Sequence, residues 1–174
     1  MRGDNVVLVG FMGAGKSVVG RLLARRLGRC FVETDDMIVA REGRSIPEIF
    51  QTYGEERFRQ LEAEALDLLR LKQGDVIATG GGLPCREGRM DALRAVGTVI
   101  WLKGALIDCL ERARRSGDRP MLAGRDVEEL EALYHVREPY YARAHVTVET
   151  TGLGPDAVVA RVLAVLRERD VARV

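Results

Sequence analysis

Residues 6–27 constrain the fold more than any other stretch. Val6–Val9 is a continuous apolar run that meets three glycines, Gly10, Gly13 and Gly15. Ser17–Leu27 then carries apolar residues at Val18, Val19, Leu22, Leu23 and Leu27, and Gly28 follows. A run apolar at successive positions is a strand buried on both faces, the later spacing is that of a helix with one apolar face, and Gly28 is a helix stop. A doubly buried strand that passes straight into a helix is one half of a parallel crossover. Four further runs have strand length: Cys30–Val32, Val76–Ala78, Val99–Leu102 and Val146–Val148. Helical patterns separate them at Ile46–Leu71 (one helix or two), Ala105–Arg115, Val127–Ala142 and Asp156–Arg169. The alternation predicts an α/β fold with a mostly parallel sheet and helices on both faces. With 174 residues and no repeat, low-complexity tract or linker, it predicts one domain over 1–174.

The glycines have a chemical reading. Gly10-Phe-Met-Gly-Ala-Gly-Lys-Ser17 matches G-x-x-x-x-G-K-[ST] at every fixed position, and it lies between a predicted strand and a predicted helix. Glycine conformations turn successive N–H groups inward as a nest for anionic oxygens, and the helix N-terminus adds unpaired N–H groups and its positive dipole end. Gly13, Ala14, Gly15, Lys16, Ser17 and Val18 are therefore candidates to hold the phosphates of a nucleoside triphosphate. Lys16 would meet the β- and γ-phosphates and Ser17 would give an oxygen to Mg²⁺.

Charge excludes some partners. Lys plus Arg number 27 and Asp plus Glu 26, so no global field favours nucleic acid or an anionic membrane. No apolar run approaches membrane-span length. Cys30, Cys85 and Cys109 are widely spaced and odd in number, which fits reduced thiols and a cytoplasmic protein rather than a disulfide framework. His135 and His145 lack metal-ligand spacing and read as structural. The reading carries a monomer acting on small molecules.

A phosphate loop fixes the donor and leaves the acceptor open. The second strand runs into Glu33-Thr-Asp35-Asp36, carboxylates at the sheet edge where open α/β folds bind ligands. One could hold metal-bound water and another could orient or deprotonate a hydroxyl, while Asp36 equally suits an acidic helix cap. Glu55, Arg59 and Glu62 lie four and three residues apart on one helix face, either as a solvated ion-pair ladder or as an arginine held toward a pocket beside Phe58. Gly80, Gly81 and Gly82 follow the third strand and permit close approach to the backbone. Ser116, Gly117 and Asp118 lead into Arg119, the pattern of a closing lid that carries a cation. Arg137 on its own reads as structural.

Taken in order, these pieces resemble the shikimate kinase family from about Val6 to Pro155. The resemblance rests on "GFMGAGKSVVGRLLARRLG", "ETDDMI", "GRSIPEIF", "YGEERFRQLE", "GGG", "DRPML" and "REPYYARA". It implies a three-layer P-loop kinase fold, nucleoside-monophosphate-kinase-like, with a five-stranded parallel sheet in the order 2-3-1-4-5. It further implies ATP-dependent phosphorylation of the shikimate 3-hydroxyl. By match to the family motifs, Asp35 would hold the acceptor hydroxyl and Arg59 and Arg137 its carboxylate. Gly80, Gly81 and Gly82 would line it with backbone groups, while Phe50 and Phe58 would pack its ring. Lys16 and Arg119 would act on the phosphoryl group, with a lid over about 112–125, and Arg112 and Pro155 would belong to the nucleotide side. Ser17 and Glu33 would hold Mg²⁺. Two departures are that Glu33 stands where the family usually has Asp, and Val39 where it commonly has Glu. Gluconate kinase and a non-catalytic nucleotide-binding regulator of the same fold are the alternatives.

Overall fold

The strand β1 (Asn5–Val9) is buried at every residue and lies at the centre of a five-stranded sheet. In this computed structural model, which describes residues 4–115 and 125–172, the order is β2-β3-β1-β4-β5 and every pairing is parallel. The other strands are β2 (Phe31–Glu33), β3 (Val76–Ala78), β4 (Gly97–Lys103) and β5 (Val146–Glu149). The helices among the described residues are α1 (Lys16–Leu27), α2 (Thr34–Glu42), α3 (Ile46–Leu69), α4 (Arg89–Val96), α5 (Leu106–Arg115), α6 (Val127–Tyr141) and α7 (Pro155–Ala172).

Handedness distributes the layers. Only the β1 to β2 connection moves toward the β2 edge, and all later crossovers move the other way. Right-handed crossovers therefore place α1 on one face and the helices between later strands on the opposite one. The helix α7 returns to pack beside α1. The main core, from Leu8 and Ile77 to Leu93, Ile100 and Val162, lies against the sheet. A smaller cluster of Ile38, Ile49, Phe58, Leu61 and Ala65 lies between α2 and α3.

Local chemistry sets the helix ends. Gly28 closes α1 at φ 62°, donating its N–H to Ala24 and Arg25 carbonyls. Ser45 and Glu48 form a reciprocal capping box at the start of α3, as do Asp126 and Glu129 at α6. The choice between one helix and two over residues 46–71 resolves as two helical segments, together labelled α3, that meet at a kink where Gly54 has a non-helical φ of 78° and ψ of 175°. All five strands stand where the apolar runs put them. The two short helices α2 and α4 are additions to the sequence reading: Met37, Ile38 and Val39 are consecutive rather than helically spaced, and α4 buries only Met90 and Leu93.

Candidate active site

The loop after β1 wraps around its own lysine. Gly13 and Gly15 lie in the left-handed region at φ 74° and 93°. Gly13 has a second reason to be glycine, since a Cβ there would run into the Cys109 carbonyl of α5. Lys16 opens α1 and is 8% exposed, with Nζ donating to the carbonyls of Gly10 at 2.8 Å and Phe11 at 2.9 Å. This places an ammonium, the α1 N-terminus and the loop N–H groups at one point, which is chemistry suited to a polyphosphate.

The end of β2 joins that point. Ser17 Oγ donates to Glu33 Oε1, and Arg21 Nη2 reaches Glu33 Oε2 at 3.2 Å. The β2–β3 register pairs Glu33 with Ala78, so the following residues meet the loop after β3. Fully buried Thr34 accepts a hydrogen bond at Oγ1 from Gly80 N–H at 2.9 Å. Asp35, in the first turn of α2, sets its carboxylate against Gly80, where a Cβ would lie 2.7 Å from Oδ1.

Two guanidiniums meet at Gly82. A Cβ there would lie 2.6 Å from Arg59 Nη1 and 3.1 Å from Arg137 Nη2. Arg59 donates to Glu55 through Nε at 3.2 Å and Nη2 at 2.9 Å, and to Glu62 through Nη1 at 2.9 Å. Burial alone would lower the Arg59 pKa, but the buried Glu62 charge, its hydrogen bond and those of Glu55 outweigh this and the net shift is upward. Arg137, 6% exposed, stands over the Phe11 ring, and among the described residues none forms an ion pair with it. Tyr141 donates to the Gly81 carbonyl at 2.7 Å, and burial pushes its phenol well above the ordinary value. Burial also pushes the Cys85 thiol up, which makes it a poor nucleophile. Phe50 and Phe58 pack with ring centroids 4.7 Å apart.

These groups surround one cavity of about 730 Å³ at the carboxyl edge of the sheet. It brings together the nest residues Gly13, Gly15, Lys16, Ser17 and Val18, the carboxylates Glu33 and Asp35, the rings of Phe50 and Phe58, the glycines 80–82, and Arg59, Arg112 and Arg137. Val39 also lines it, so the departure there changes a wall of the cavity. Ala14 and Pro155 are not part of that lining; Pro155 stands exposed at the start of α7. Arg119 and most of the proposed lid lie outside the described residues.

Three readings change. The Glu55–Arg59–Glu62 ladder and the pocket arginine are the same object, because Arg59 and Glu62 are buried together while Glu55 holds Arg59 from the exposed side. The triple glycine makes room first for the chain's own Asp35, Arg59 and Arg137, and Gly80 N–H is already taken by Thr34. His145 accepts from Val99 N–H at 2.9 Å, as a structural histidine would, whereas His135 is exposed. Thr34, Arg89 and Tyr141 were not picked out from the sequence, and Glu62 was named only as a carboxylate flanking Arg59. Glu62 alone had a signal, its helical spacing to Arg59; the others act through contacts between distant segments.

Known proteins match this chain over nearly its full length. A family model described as shikimate kinase matches residues 12–167. A shikimate kinase of Symbiobacterium thermophilum is 46% identical over 169 residues, covering 95% of this chain and 97% of that protein. One from Geobacter sulfurreducens is also 46% identical, covering 97% and 93%. Among solved structures, the shikimate kinase from Acinetobacter baumannii in complex with shikimate has a TM-score of 0.91 at 36% identity, covering 96% of this chain and 94% of that one. The deoxyadenosine kinase from M. mycoides with bound dATP, at 13% identity and a TM-score of 0.65, shares the fold alone.

Proposed function

The chain belongs to the shikimate kinase family and catalyses ATP-dependent phosphorylation of shikimate, and from that premise we propose how its own residues bind the acceptor and move the phosphoryl group. The observation that carries the reading is the convergence of Arg59 and Arg137 on Gly82, two residues along the chain from the Asp35 carboxylate at Gly80. Two residues span at most about 7 Å, a separation suited to a six-membered ring that bears a carboxylate at one position and a hydroxyl nearby. A carboxylate takes the two guanidiniums through charge-assisted hydrogen bonds. Arg137, with no ion pair to a described residue, contributes a net positive charge to that end of the cavity. Phe50 and Phe58 support the ring.

Asp35 then holds the 3-hydroxyl, orienting its oxygen toward the γ-phosphorus and accepting its proton as the new P–O bond forms and the bond to ADP breaks. Lys16 lies where negative charge accumulates on the transferring group, and preorganised cations there act in the transition state. The resemblance supports Arg119 as a second such cation. Gly13, Ala14, Gly15, Ser17 and Val18 cradle the phosphates, with Arg112 and Pro155 toward the base.

Mg²⁺ fits the donors present. Ser17 and Glu33 bring a hydroxyl and a carboxylate into mutual contact beside the phosphate nest. These are hard oxygen donors, and a cation that keeps several waters and takes phosphate oxygens needs few protein ligands. Ser17 would hold it directly and Glu33 through water. When bound it would offset the negative charge of the phosphates.

The family findings do not favour the gluconate kinase or non-catalytic readings. No helix among the described residues is long and apolar enough to cross a membrane. The near-balanced charge offers no global field to nucleic acid, and the reading carried forward is a single-domain cytoplasmic monomer. A coupled ADP-release assay tests the whole, run with shikimate, gluconate and no acceptor. ADP release is expected with shikimate far above the other two; equal release with gluconate, or release independent of acceptor, refutes the reading.

A further inference from the structure

The grip on Arg59 continues beyond the cavity wall into α4. Arg89, the first residue of that helix, donates from Nη1 to Glu62 Oε2 at 3.1 Å and from Nη2 to the main-chain carbonyl of Arg59 at 2.6 Å. Glu62 Oε2 also accepts from Arg59 Nη1, so one buried oxygen joins two guanidiniums. Arg89 is absent from the cavity lining, so it does not touch what the cavity holds. Its placement runs against local preference, because a cation in the first turn opposes the helix dipole. Such a conflict between local and global demands marks positions kept for the site.

Charge counting gives the consequence. With Arg89, the cluster of Glu55, Arg59, Glu62 and Arg89 is neutral, and Arg137 leaves the carboxylate end of the cavity positive. Without Arg89 that cluster carries one net negative charge, the whole end falls to neutrality, and buried Glu62 competes with an incoming carboxylate for the N–H groups of Arg59. We infer that Arg89 is a positioning residue for acceptor binding: it neutralises Glu62 and pins the Arg59 main chain, leaving the Arg59 guanidinium available to the substrate carboxylate. The inference rests on the reading that Arg59 binds that carboxylate.

A double-mutant cycle read by calorimetric titration of shikimate tests it, with ADP titrated in parallel. Arg89→Met is expected to raise the shikimate Kd about tenfold, within the range of coupling between contacting residues. The ADP Kd should stay within about twofold, and Arg89→Lys should recover part of the loss. In an Arg59→Leu background, Arg89→Met should shift the shikimate Kd by a clearly smaller factor, about threefold or less, since the group it positions is gone and only the change of net charge remains. Equal shifts in both backgrounds, or a matching loss of ADP affinity, overturn the inference. If Arg59→Leu leaves shikimate affinity intact, the Arg59 assignment fails and this inference with it; if Arg59→Leu weakens binding and Arg89→Met is silent, only the role of Arg89 fails. Should Arg89→Met not fold, Arg89→Gln, which keeps an N–H donor without the charge, carries the same comparisons.

Discussion

Alanine placed in turn at Gly80, Gly81 and Gly82 should separate three functions within three consecutive residues. None of the three has positive φ, so each added methyl acts through space rather than through backbone strain. At Gly82 the new Cβ would lie 2.6 Å from Arg59 Nη1, against an ordinary contact of about 3.5 Å. The guanidinium must therefore retreat by roughly 0.9 Å, and Glu55 and Glu62 hold it where it is. A displacement of about 1 Å in a positioning group can cost as much as ~100-fold, so Gly82→Ala should raise the shikimate KM between about 10- and 100-fold, ~1.4–2.7 kcal/mol. ATP KM should hold. At Gly80 the Cβ meets Asp35 Oδ1 at 2.7 Å, so Gly80→Ala should lower kcat instead. At Gly81 the nearest atom is Arg137 Nη1 at 3.4 Å, and Gly81→Ala should be nearly silent in catalysis. Its loss of unfolded-chain freedom could contribute up to ~1 kcal/mol of stability. Steady-state kinetics with each substrate varied, beside thermal melts, makes the comparison. Uniform damage across the three variants would refute the steric argument and return the glycines to a generic flexible turn.

Arg137→Leu should weaken shikimate binding by about 10- to 100-fold, the worth of a charge-assisted hydrogen bond, while Tm holds or rises because a buried cation with no ion pair to a described residue is removed; a large drop in Tm would make the residue structural. Glu33→Gln should raise the Mg²⁺ concentration for half-maximal rate about tenfold, with Glu33→Asp milder since an intervening water absorbs part of the change in length; identical Mg²⁺ curves for wild type and Glu33→Gln would remove Glu33 from the metal site. Burial first, then the neighbouring Glu138, pushes the Tyr134 phenol up to about 12. Because the folded pKa is raised, the stability it contributes is complete below about pH 10 and drains as pH climbs toward 12. Ultraviolet titration of Tyr134→Phe should lack one late-titrating phenol, and an unchanged titration curve would contradict this.

Much of this molecule is written locally. The strands were legible because doubly buried strands are apolar at every position, and the phosphate loop because its glycines, lysine and serine act within eight residues of chain. The helix α2 was not, since it begins one residue after β2 and its apolar residues do not repeat at helical spacing. Arg59 could be found but not decided: helix spacing to Glu55 and Glu62 is the same whether the face meets water or a cavity, and burial alone separates the two. Arg137 drew meaning only from the family resemblance, because what defines it is its approach to Gly82, more than fifty residues away. Arg89 and Tyr141 had no local pattern, as their partners are a side chain on α3 and carbonyls on other segments.

The separate cluster beneath α2 and α3 has a thermodynamic consequence. Ile38, Ile49, Phe58, Leu61 and Ala65 form their own apolar unit, with Met37 packed against both it and the main core. Phe58 and Arg59 lie on the part of α3 that carries the small unit and Lys16 on the helix that leaves the sheet, so an acceptor and a nucleotide bound together bridge the two units. Cohesion between them is then partly supplied by substrate. Ligand linkage stabilises whatever binding holds together, and here it falls on α2 and the earlier part of α3, since Leu66 and Leu69 further along α3 belong to the main core. If Arg59 and Phe58 hold the acceptor as proposed, the segments that choose it gain order from having found it.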